Sequence, residues 1–305
     1  MKILLTGASG MVGRNLMEKN ESFNFLTPSS NELDLLSYDK TFQYLKFHKP
    51  DFIVHAAGRV GGIQANISDP VRFLIENLDM GRNIVMAARN LKILNLLNLG
   101  SSCMYPRNGV NPLKEDSILK GELEPTNEGY ALAKITISKL CQYITNDNND
   151  FQYKTLIPCN LYGRWDKFDP RHSHMIPAVI QKVHKAKISG EKEVLIWGDG
   201  TARREFMYAG DLANCILKSI SNFNSLPNIM NVGLGYDYSI KEYYETIANI
   251  IGFQGVFVYD LEKPTGMKQK LVDTNLQTKW GWKPETSLKD GISKTYNFYM
   301  EEKIG

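Results

Sequence analysis

The sequence has few cysteines, and their arrangement suggests neither a metal site nor a disulfide framework. Its 305 residues include four cysteines, none of them in a CxxC pair: Cys103, Cys141, Cys159 and Cys215. Structural metal sites and disulfide scaffolds need closely grouped or numerous thiols. We therefore expect no bound metal and a core position for three of the four.

Long apolar runs and blocks of one charge are also missing. No run reaches the roughly 18 residues of a membrane span, and the first residues, Met1 to Leu5, do not have the layout of a signal peptide. The net charge is only +3, without the Lys/Arg blocks typical of nucleic-acid surfaces. We expect a cytoplasmic protein that binds neither membranes nor nucleic acid.

The composition is that of an ordinary globular protein. Hydrophobic residues make up 43% and charged residues 23% of the chain, and the length suits one large or two unequal domains. Residues 160–210 hold nine Lys/Arg against six Asp/Glu. Such an excess suits a small anionic ligand, although scattered surface charge gives the same count.

A glycine-rich turn follows the first predicted strand. Residues 2–6 are a short apolar run, 11–19 have a helical pattern, and the turn between them carries a G-x-x-G-x-x-G spacing. Such a turn lets the backbone and the helix N-terminus approach a phosphate. It predicts dinucleotide binding by Gly7, Ser9, Gly10, Met11, Val12 and Gly13.

The second predicted strand, residues 23–27, bears on the choice between NAD and NADP. An acidic residue at its end would bind the ribose 2′-hydroxyl of NAD, but the chain continues with Pro28, Ser29, Ser30 and Asn31. No arginine for a 2′-phosphate follows either. The sequence leans toward NADP(H), with Ser30 as a candidate contact.

Strands and helices alternate regularly as far as about residue 163. Further strands are predicted at 51–57, 93–99 and 154–158, with Ala57 near the cofactor and a long helix at 70–90. This pattern predicts an α/β protein with a Rossmann-type doubly wound parallel sheet. Residues 1–163 would form the cofactor domain. Residues 164–305 would mainly form a smaller α/β substrate lobe, with segments near 209–235 and 239–251 returning to the sheet.

Candidate catalytic residues follow the fourth strand. Ser101 and Cys103 are two residues apart there, which directs both side chains to one side of an extended backbone. Tyr130 and Lys134 are one turn apart on a predicted helix. A neighbouring ammonium is expected to lower the pKa of the Tyr130 phenol toward the range of a general acid.

Together these motifs resemble the extended short-chain dehydrogenase/reductase family of nucleotide-sugar enzymes, in particular its branch that acts on GDP-linked 4-keto-deoxy sugars. The resemblance includes the glycine triplet, the serine and the Tyr-x-x-x-Lys pair. It extends to residues 59–63, 100–103, 124–128, 160–163, 173–177, 197–198, 204–206 and 270–273.

The resemblance implies C3/C5 epimerisation and NADPH-dependent C4 reduction of GDP-4-keto-6-deoxy-mannose. Cys103 would be the base and His174 the acid of the epimerisation. Tyr130 would protonate the C4 oxygen, Ser101 would hold that oxygen, and Lys134 would bind the nicotinamide ribose. His174 would also contact the cofactor. The substrate would be bound by Asn160, Lys182, Trp197, Arg204 and Lys270.

Two departures leave alternatives open. Ser9 and Ser29–Ser30 stand where the family has basic residues for the NADP phosphate, and the substrate lobe is slightly short. A C4 reductase of another GDP-deoxy sugar, of 6-deoxy-heptose or colitose type with or without epimerisation, would retain the same residues. A 4-epimerase that retains NAD and a non-catalytic dinucleotide sensor are further alternatives. The resemblance also implies a homodimer through the helices after strands three and four.

Overall fold

The computed structural model describes residues 1–169, 173–263 and 267–304. The helices of this part of the chain are α1 Met11–Lys19, α2 Tyr38–His48, α3 Ile63–Ser68, α4 Pro70–Asn90, α5 Glu128–Asp147, α6 Met175–Ser189, α7 Ala209–Ser221, α8 Ile240–Ile251, α9 Asn275–Lys279 and α10 Leu288–Ile304. Its strands are β1 Lys2–Thr6, β2 Asn24–Leu26, β3 Phe52–His55, β4 Asn95–Leu99, β5 Gln152–Pro158, β6 Asn160–Tyr162, β7 Glu193–Trp197, β8 Arg203–Arg204, β9 Phe206–Tyr208, β10 Ile229–Val232, β11 Tyr238–Ser239, β12 Val256–Asp260 and β13 Gln269–Lys270.

The main sheet confirms the predicted fold class. Its six strands lie in the order β10-β5-β4-β3-β1-β2, and every neighbouring pair is parallel. The chain steps outward from β1 to β2 and then crosses back to β3, so the order reverses between β1 and β3. Ligands of doubly wound sheets bind at the carboxyl ends of the strands at such a reversal.

Helices cover both faces of this sheet. Leu16 of α1 and Ile216 of α7 pack on one face, and Ile84 of α4 and Ile137 of α5 pack on the other. A sheet covered on both sides needs strands that are apolar throughout. Accordingly, β3 is buried at all four positions.

The lobe beyond the sheet has a core of its own. Ile180 of α6, Ile247 of α8, and Phe298 of α10 belong to one buried cluster beside the two-stranded sheet of β7 and β12. The prediction that 239–251 partly returns to the main sheet is therefore wrong, because the apolar face of α8 packs on α6. By contrast, β10 and α7 do join the sheet. The division near residue 163 remains a prediction.

Two small sheets connect the lobe to the main sheet. β6 continues the chain directly after β5 and pairs with β9, while β8 lies between β11 and β13. Arg204 is opposite Lys270 in the β8–β13 register. Directly opposed residues of neighbouring strands project to the same side, so these two cations share one face.

No helix in the described ranges is long and apolar enough to cross a membrane. The same residues contain no group of three or more His, Cys, Asp or Glu side chains placed to hold a metal ion.

Candidate active site

The ends of β1 and β3 meet at the glycine-rich turn. Gly7 follows β1 with φ +75°, and a Cβ atom added there would lie 2.7 Å from the backbone nitrogen of Ala57, just after β3. Only glycine meets both the conformation and the close approach. The two strand ends are thereby held together, which brings the predicted cofactor residues Gly7 and Ala57 to one edge.

The turn also leaves the N-terminus of α1 open to an anion. Gly10 is the N-cap, no side chain caps the helix, and its first turn contains no acidic residue. The first amides of the helix, at Met11, Val12 and Gly13, are thus not capped by a side chain and carry the positive end of the helix dipole. These features fit a dinucleotide pyrophosphate.

Gly13→Ala is expected to weaken dinucleotide binding. A Cβ atom at this position would overlap the carbonyl oxygen of Gly7 and the backbone of Ala8, so the turn would have to shift, at a cost of about 1–3 kcal/mol. A fluorescence titration with NADPH should show binding weakened by at least about fivefold, a change of roughly 1 kcal/mol. Gly190→Ala, which places an alanine at φ +74° with its Cβ in open space, is the control for the strain of replacing a glycine away from the turn, and equal affinities for the two variants would contradict the prediction.

The adenosine end of the predicted site combines serine hydroxyls with one basic and one acidic side chain. Ser9 and Ser30 are both exposed. The Arg14 side chain donates to the Ser9 carbonyl at 3.0 Å. Ser29 donates through its backbone and hydroxyl to Glu32, each at 2.8 Å. The sequence analysis found no acid at this end because it considered the chain only as far as Asn31. Glu32 is the next residue and reaches back to Ser29.

Lys134 lies at the carboxyl end of β4. It is 8% exposed, and its ammonium donates to the Leu99 carbonyl at the end of β4 at 2.9 Å. A Cβ atom on Gly58 would be 3.7 Å from the same nitrogen. Burial lowers the pKa of Lys134 to about 8. The lysine thus lies at the end of β4 and close to Gly58, three residues after β3.

Tyr130 differs from expectation in its ionisation. Its pKa is raised above the usual tyrosine value by burial first and then by Cys103, while a hydrogen bond with Ser101 acts the other way. The predicted lowering by Lys134 is not found, because that ammonium is bonded to Leu99 and lies 5.8 Å from the ring centroid. Tyr130 is therefore held as a protonated phenol.

Ser101 and Cys103 lie in the turn after β4, as predicted. Ser101 caps the short 3₁₀ helix Ser102–Met104, and its Oγ accepts from the Cys103 amide at 3.3 Å. The Cys103 sulfur receives two side-chain donors, Asn127 Nδ2 at 3.2 Å and Lys270 Nζ at 3.6 Å. The candidate base therefore lies beside Ser101 at the carboxyl end of β4.

His174 occupies the N-cap position of α6, at the entrance to the lobe. Its pKa is lowered by burial first and then by the charges of Lys167 and Lys270. Lys270 thus contacts Cys103 and also acts on His174. The histidine is mainly neutral near pH 7, because both burial and cations disfavour its charged form.

The predicted substrate residues form two groups. In the first, Asn160 donates to the Glu205 carbonyl at 3.0 Å, and Arg204 shares the strand register with Lys270. In the second, Lys182 on α6 donates to the Leu195 carbonyl at 2.8 Å, two residues before Trp197, which is 46% exposed. The first group reaches Cys103 through Lys270, and the second lies along β7 in the lobe.

Glu205 organises the first group and was not singled out from the sequence. It is 1% exposed, and its carboxylate accepts from the amides of Leu234, Gly235 and Val272 at 2.6, 3.1 and 3.0 Å. This side chain ties the strand of Arg204 to the segment that carries Lys270. It lies within the stretch 204–206 that carries the family resemblance, but that resemblance gave it no role, and an acid at this place also fits a surface turn.

Glu205→Gln is expected to flatten the pH dependence of stability. Burial raises the pKa of Glu205 to about 7, so between about pH 4.5 and 7 the folded state keeps a proton that the unfolded chain releases. The free energy of unfolding therefore falls as pH rises through this range, by about 1–3 kcal/mol. The variant should lose much of this fall in urea titrations at several pH values. The exposed Glu285→Gln should keep it, and equal slopes for Glu205→Gln and the unaltered protein would contradict the assignment.

A glycine-rich strand–helix turn at the reversal of a doubly wound sheet, with a serine, a tyrosine and a lysine at the end of β4, defines a dinucleotide-binding enzyme of the Rossmann type. A protein-family model described as the NAD dependent epimerase/dehydratase family matches residues 3–233. The chain belongs to this family.

Similar proteins span the whole chain. A GDP-L-colitose synthase from Yersinia pseudotuberculosis is 59% identical over 99% of both chains. A GDP-L-fucose synthase from Azorhizobium caulinodans is 51% identical over 98% of this chain and 96% of its own. A solved GDP-mannoheptose C4 reductase from Campylobacter jejuni with NADP bound is 31% identical over 98% of both chains, with a TM-score of 0.88.

Proposed function

We propose that this protein converts GDP-4-keto-6-deoxy-D-mannose to GDP-L-fucose by epimerisation at C3 and C5 and NADPH-dependent reduction at C4. The observation that carries the proposal is the placement of Cys103 beside Ser101 and Tyr130 at the end of β4. Epimerisation and reduction both act through the C4 oxygen. A base placed beside an oxygen-binding pair therefore suits both steps.

Epimerisation depends on the acidity of carbons next to the ketone. When Cys103 removes the proton from C3 or C5, the electron pair moves onto the C4 oxygen, where Ser101 and the Tyr130 phenol can donate hydrogen bonds. Positioned donors stabilise such an oxyanion strongly in a water-poor site. In this scheme His174 supplies the proton on the opposite face of the ring. Only the protonated form of His174 can act as this acid, and it is the minor form at pH 7. This fraction falls further as pH rises, so the protonation step should slow.

Reduction needs a proton donor that is still protonated. The raised pKa of Tyr130 keeps its proton on the phenol until the C4 oxygen gains negative charge. Lys134 would hold the nicotinamide ribose from beneath. The bound cofactor supplies the hydride for C4. The glycine-rich turn and Ala57 would hold its pyrophosphate and its adenosine half.

NADP(H) is the cofactor that we assign. The Campylobacter jejuni relative was solved with NADP bound. In this chain Ser9 and Ser30 are exposed at the adenosine end, and hydroxyl groups can donate hydrogen bonds to a 2′-phosphate. Glu32 is already occupied by two Ser29 donors, so it is less available to a ribose hydroxyl of NAD.

The test is product analysis by NMR after incubation with GDP-4-keto-6-deoxy-mannose and NADPH in D₂O. GDP-L-fucose with deuterium at C3 and C5 would support both steps. A C4-reduced product without deuterium would indicate a reductase without epimerase activity. No turnover above background would contradict the proposed substrate.

A second candidate is formation of GDP-L-colitose, favoured by the 59% identical relative of that name. Colitose has no hydroxyl at C3, so only C5 would need inversion. Parallel assays with the 4-keto-3,6-dideoxy and 4-keto-6-deoxy GDP sugars distinguish the candidates by the ratio of kcat/KM. A 4-keto heptose substrate, in line with the Campylobacter jejuni relative, is a third assay in the same series.

The proposal includes a homodimer formed through α4 and α5. These helices pack on each other and expose four large side chains at helical spacing: Val71, Ile75, Leu132 and Tyr143. Exposed apolar side chains on two paired helices suit a four-helix interface with a second copy. A cytoplasmic location is also proposed, because all four cysteines are free, as expected in a reducing compartment.

Val71→Glu combined with Tyr143→Lys is expected to shift the protein from dimer to monomer. Tyr143 is 63% and Val71 69% exposed in the single chain, so these charges should hardly affect the fold of one copy but would be buried in a dimer. Sedimentation equilibrium measures the mass. Phe47→Lys, on the exposed side of α2 at 81%, is the matched control. A dimer that survives the double substitution would place the interface elsewhere.

A further inference from the structure

The loop between β3 and α3 ends against the segment that carries His174. Gly62 is the N-cap of α3, with φ −67° and ψ −178°. A Cβ atom added to it would lie 2.5 Å from the carbonyl oxygen of Ser173, well inside the roughly 3.5–4.0 Å at which non-bonded heavy atoms pack. Extended backbone of this kind suits any residue, so it is the contact with Ser173 that requires glycine here.

The early part of this loop is fixed on α4. The buried Asn77 side chain accepts from the Arg59 amide at 3.0 Å and donates to the Arg59 carbonyl at 3.1 Å. The Arg59 guanidinium also pairs with Glu76 at 3.2 Å. Both partners belong to a helix of 21 residues that packs on the main sheet. The loop therefore has a firm support on its cofactor-domain side.

The end of the loop is fixed by α3. Buried Asn66 donates through Nδ2 to the carbonyls of Gly61 and Gly62, both at 3.0 Å, and its backbone amide donates to the Gly62 carbonyl at 3.2 Å. Both side-chain contacts are with carbonyl oxygens, so only the nitrogen of the Asn66 amide can face them. These bonds hold Gly62 against Ser173.

The same loop starts beside the predicted cofactor site. A Cβ atom on Gly58 would lie 3.7 Å from Nζ of Lys134, the predicted ribose-binding residue. At the other end, Ser173 directly precedes His174, which is the N-cap of α6. Residues 58–62 thus connect the place of the nicotinamide ribose with the candidate acid.

We propose that Gly62 is a positioning residue that sets where His174 lies, so that the acid faces the sugar ring on the side opposite Cys103. This inference rests on the proposed function. A Cβ atom on Gly62 would displace the Ser173 carbonyl, and the histidine that follows would move with it. Proton removal by Cys103 would continue. Proton return from His174 to the carbon, with the electron pair moving back from the C4 oxygen, would slow, and this is the step that inverts C3 and C5.

The ratio of inversion to exchange tests this role. GDP-4-keto-6-deoxy-mannose is incubated with the protein in D₂O without NADPH, and NMR measures both the deuterium at C3 and C5 and the inverted sugar. Gly62→Ala should lower the amount of inversion per exchange event by about tenfold or more, since a positioned general acid contributes about 10²- to 10⁴-fold. Exchange itself should stay within about threefold of the unaltered rate.

Two further variants keep the test sharp if Gly62→Ala does not fold. Asn66→Ala loosens the loop without adding an atom and should lower the ratio by about threefold, the value of one or two hydrogen bonds. Gly255→Ala is the matched control, because its Cβ would overlap another backbone carbonyl, that of Lys192 at 2.4 Å, within the lobe. It should leave the ratio unchanged. An unchanged ratio in Asn66→Ala, or an equal fall in Gly255→Ala, would overturn the proposal.

A double-mutant cycle separates positioning from a general disturbance of the site. If Gly62 acts through His174, Gly62→Ala should cause no further fall of the ratio in a protein that already carries His174→Ala. The same further fall in both backgrounds would overturn the proposal, because it would show an effect that does not pass through the histidine.

NMR of protein with ¹³C-labelled histidine tests the contact without sugar or cofactor. The chain has five histidines, and the ring signal that disappears in His174→Ala identifies His174. That signal should move in Gly62→Ala and stay in place in Gly255→Ala. Failure of the proposed function would appear as absent exchange in the unaltered protein while this shift persists. A His174 signal that does not move in Gly62→Ala would overturn the proposal.

Discussion

Tyr130→Phe is expected to lower the rate of C4 reduction by about 10²- to 10⁴-fold, the usual contribution of a positioned general acid. Tyr130 keeps its proton because burial and Cys103 raise its pKa. Phenylalanine removes this proton but retains the ring, which lies 5.8 Å from the Lys134 ammonium. Cofactor affinity should therefore hardly change, and the loss should appear in kcat.

Single-turnover oxidation of NADPH, monitored by absorbance with the 4-keto sugar in excess, measures this effect. Tyr44→Phe on α2 is the matched control because it removes a phenol that lies against His48, away from the strand ends. Exchange of the C3 and C5 protons of the 4-keto sugar with D₂O should persist in Tyr130→Phe. Its rate should be reduced by the loss of one hydrogen bond to the enolate. Reduction within about threefold of the unaltered rate would remove Tyr130 from the proton-donor role.

The fold was predictable because its signals are local. The helices predicted at about 11–19 and roughly 70–90 are Met11–Lys19 and Pro70–Asn90, since a glycine turn and an N-terminal proline mark where they begin. Strand ends were less accurate: the strand predicted at 51–57 is Phe52–His55. Apolar periodicity shows which residues are buried, whereas the end of a strand depends on where its neighbour stops pairing.

The role of Ile240–Ile251 was not predictable from its own pattern. The helix is amphipathic, and an apolar stripe requires a partner without identifying it. The partner is α6 of the lobe, because the buried Ile247 and Ile251 share a cluster with Ile176 and Ile180. Only the three-dimensional arrangement chooses between the main sheet and the lobe.

At the candidate site, sequence spacing identified residue types but not their ionisation. Ser101 and Cys103 could be placed on one side of a turn from their spacing. The raised pKa of Tyr130 depends on burial and on Cys103, and the second donor to that sulfur comes from Lys270, 167 residues farther along the chain. Long-range contacts of this kind leave no periodic signal in the sequence.

Cys103→Ser is expected to reduce exchange at C3 and C5 by at least about 10²-fold. Serine has nearly the same shape and its oxygen can still accept from Asn127 and Lys270, so the pocket should keep its geometry. A hydroxyl is far less acidic than a thiol and does not ionise in the working range. The loss would therefore report the missing base and not a rearranged site.

The same variant should still reduce a 4-keto GDP sugar that needs no epimerisation, because Ser101, Tyr130 and Lys134 are unchanged. Cys141→Ser is the control, since it places a hydroxyl in the buried cluster on the opposite side of α5; it should cost stability, by about 1–3 kcal/mol, and leave exchange intact. Tyr130→Phe and Cys103→Ser would then separate the two steps, one losing mainly reduction and the other mainly exchange. If Cys103→Ser lost reduction and exchange in equal measure, the role of Cys103 would be in substrate binding. That result would contradict its assignment as the base of the epimerisation.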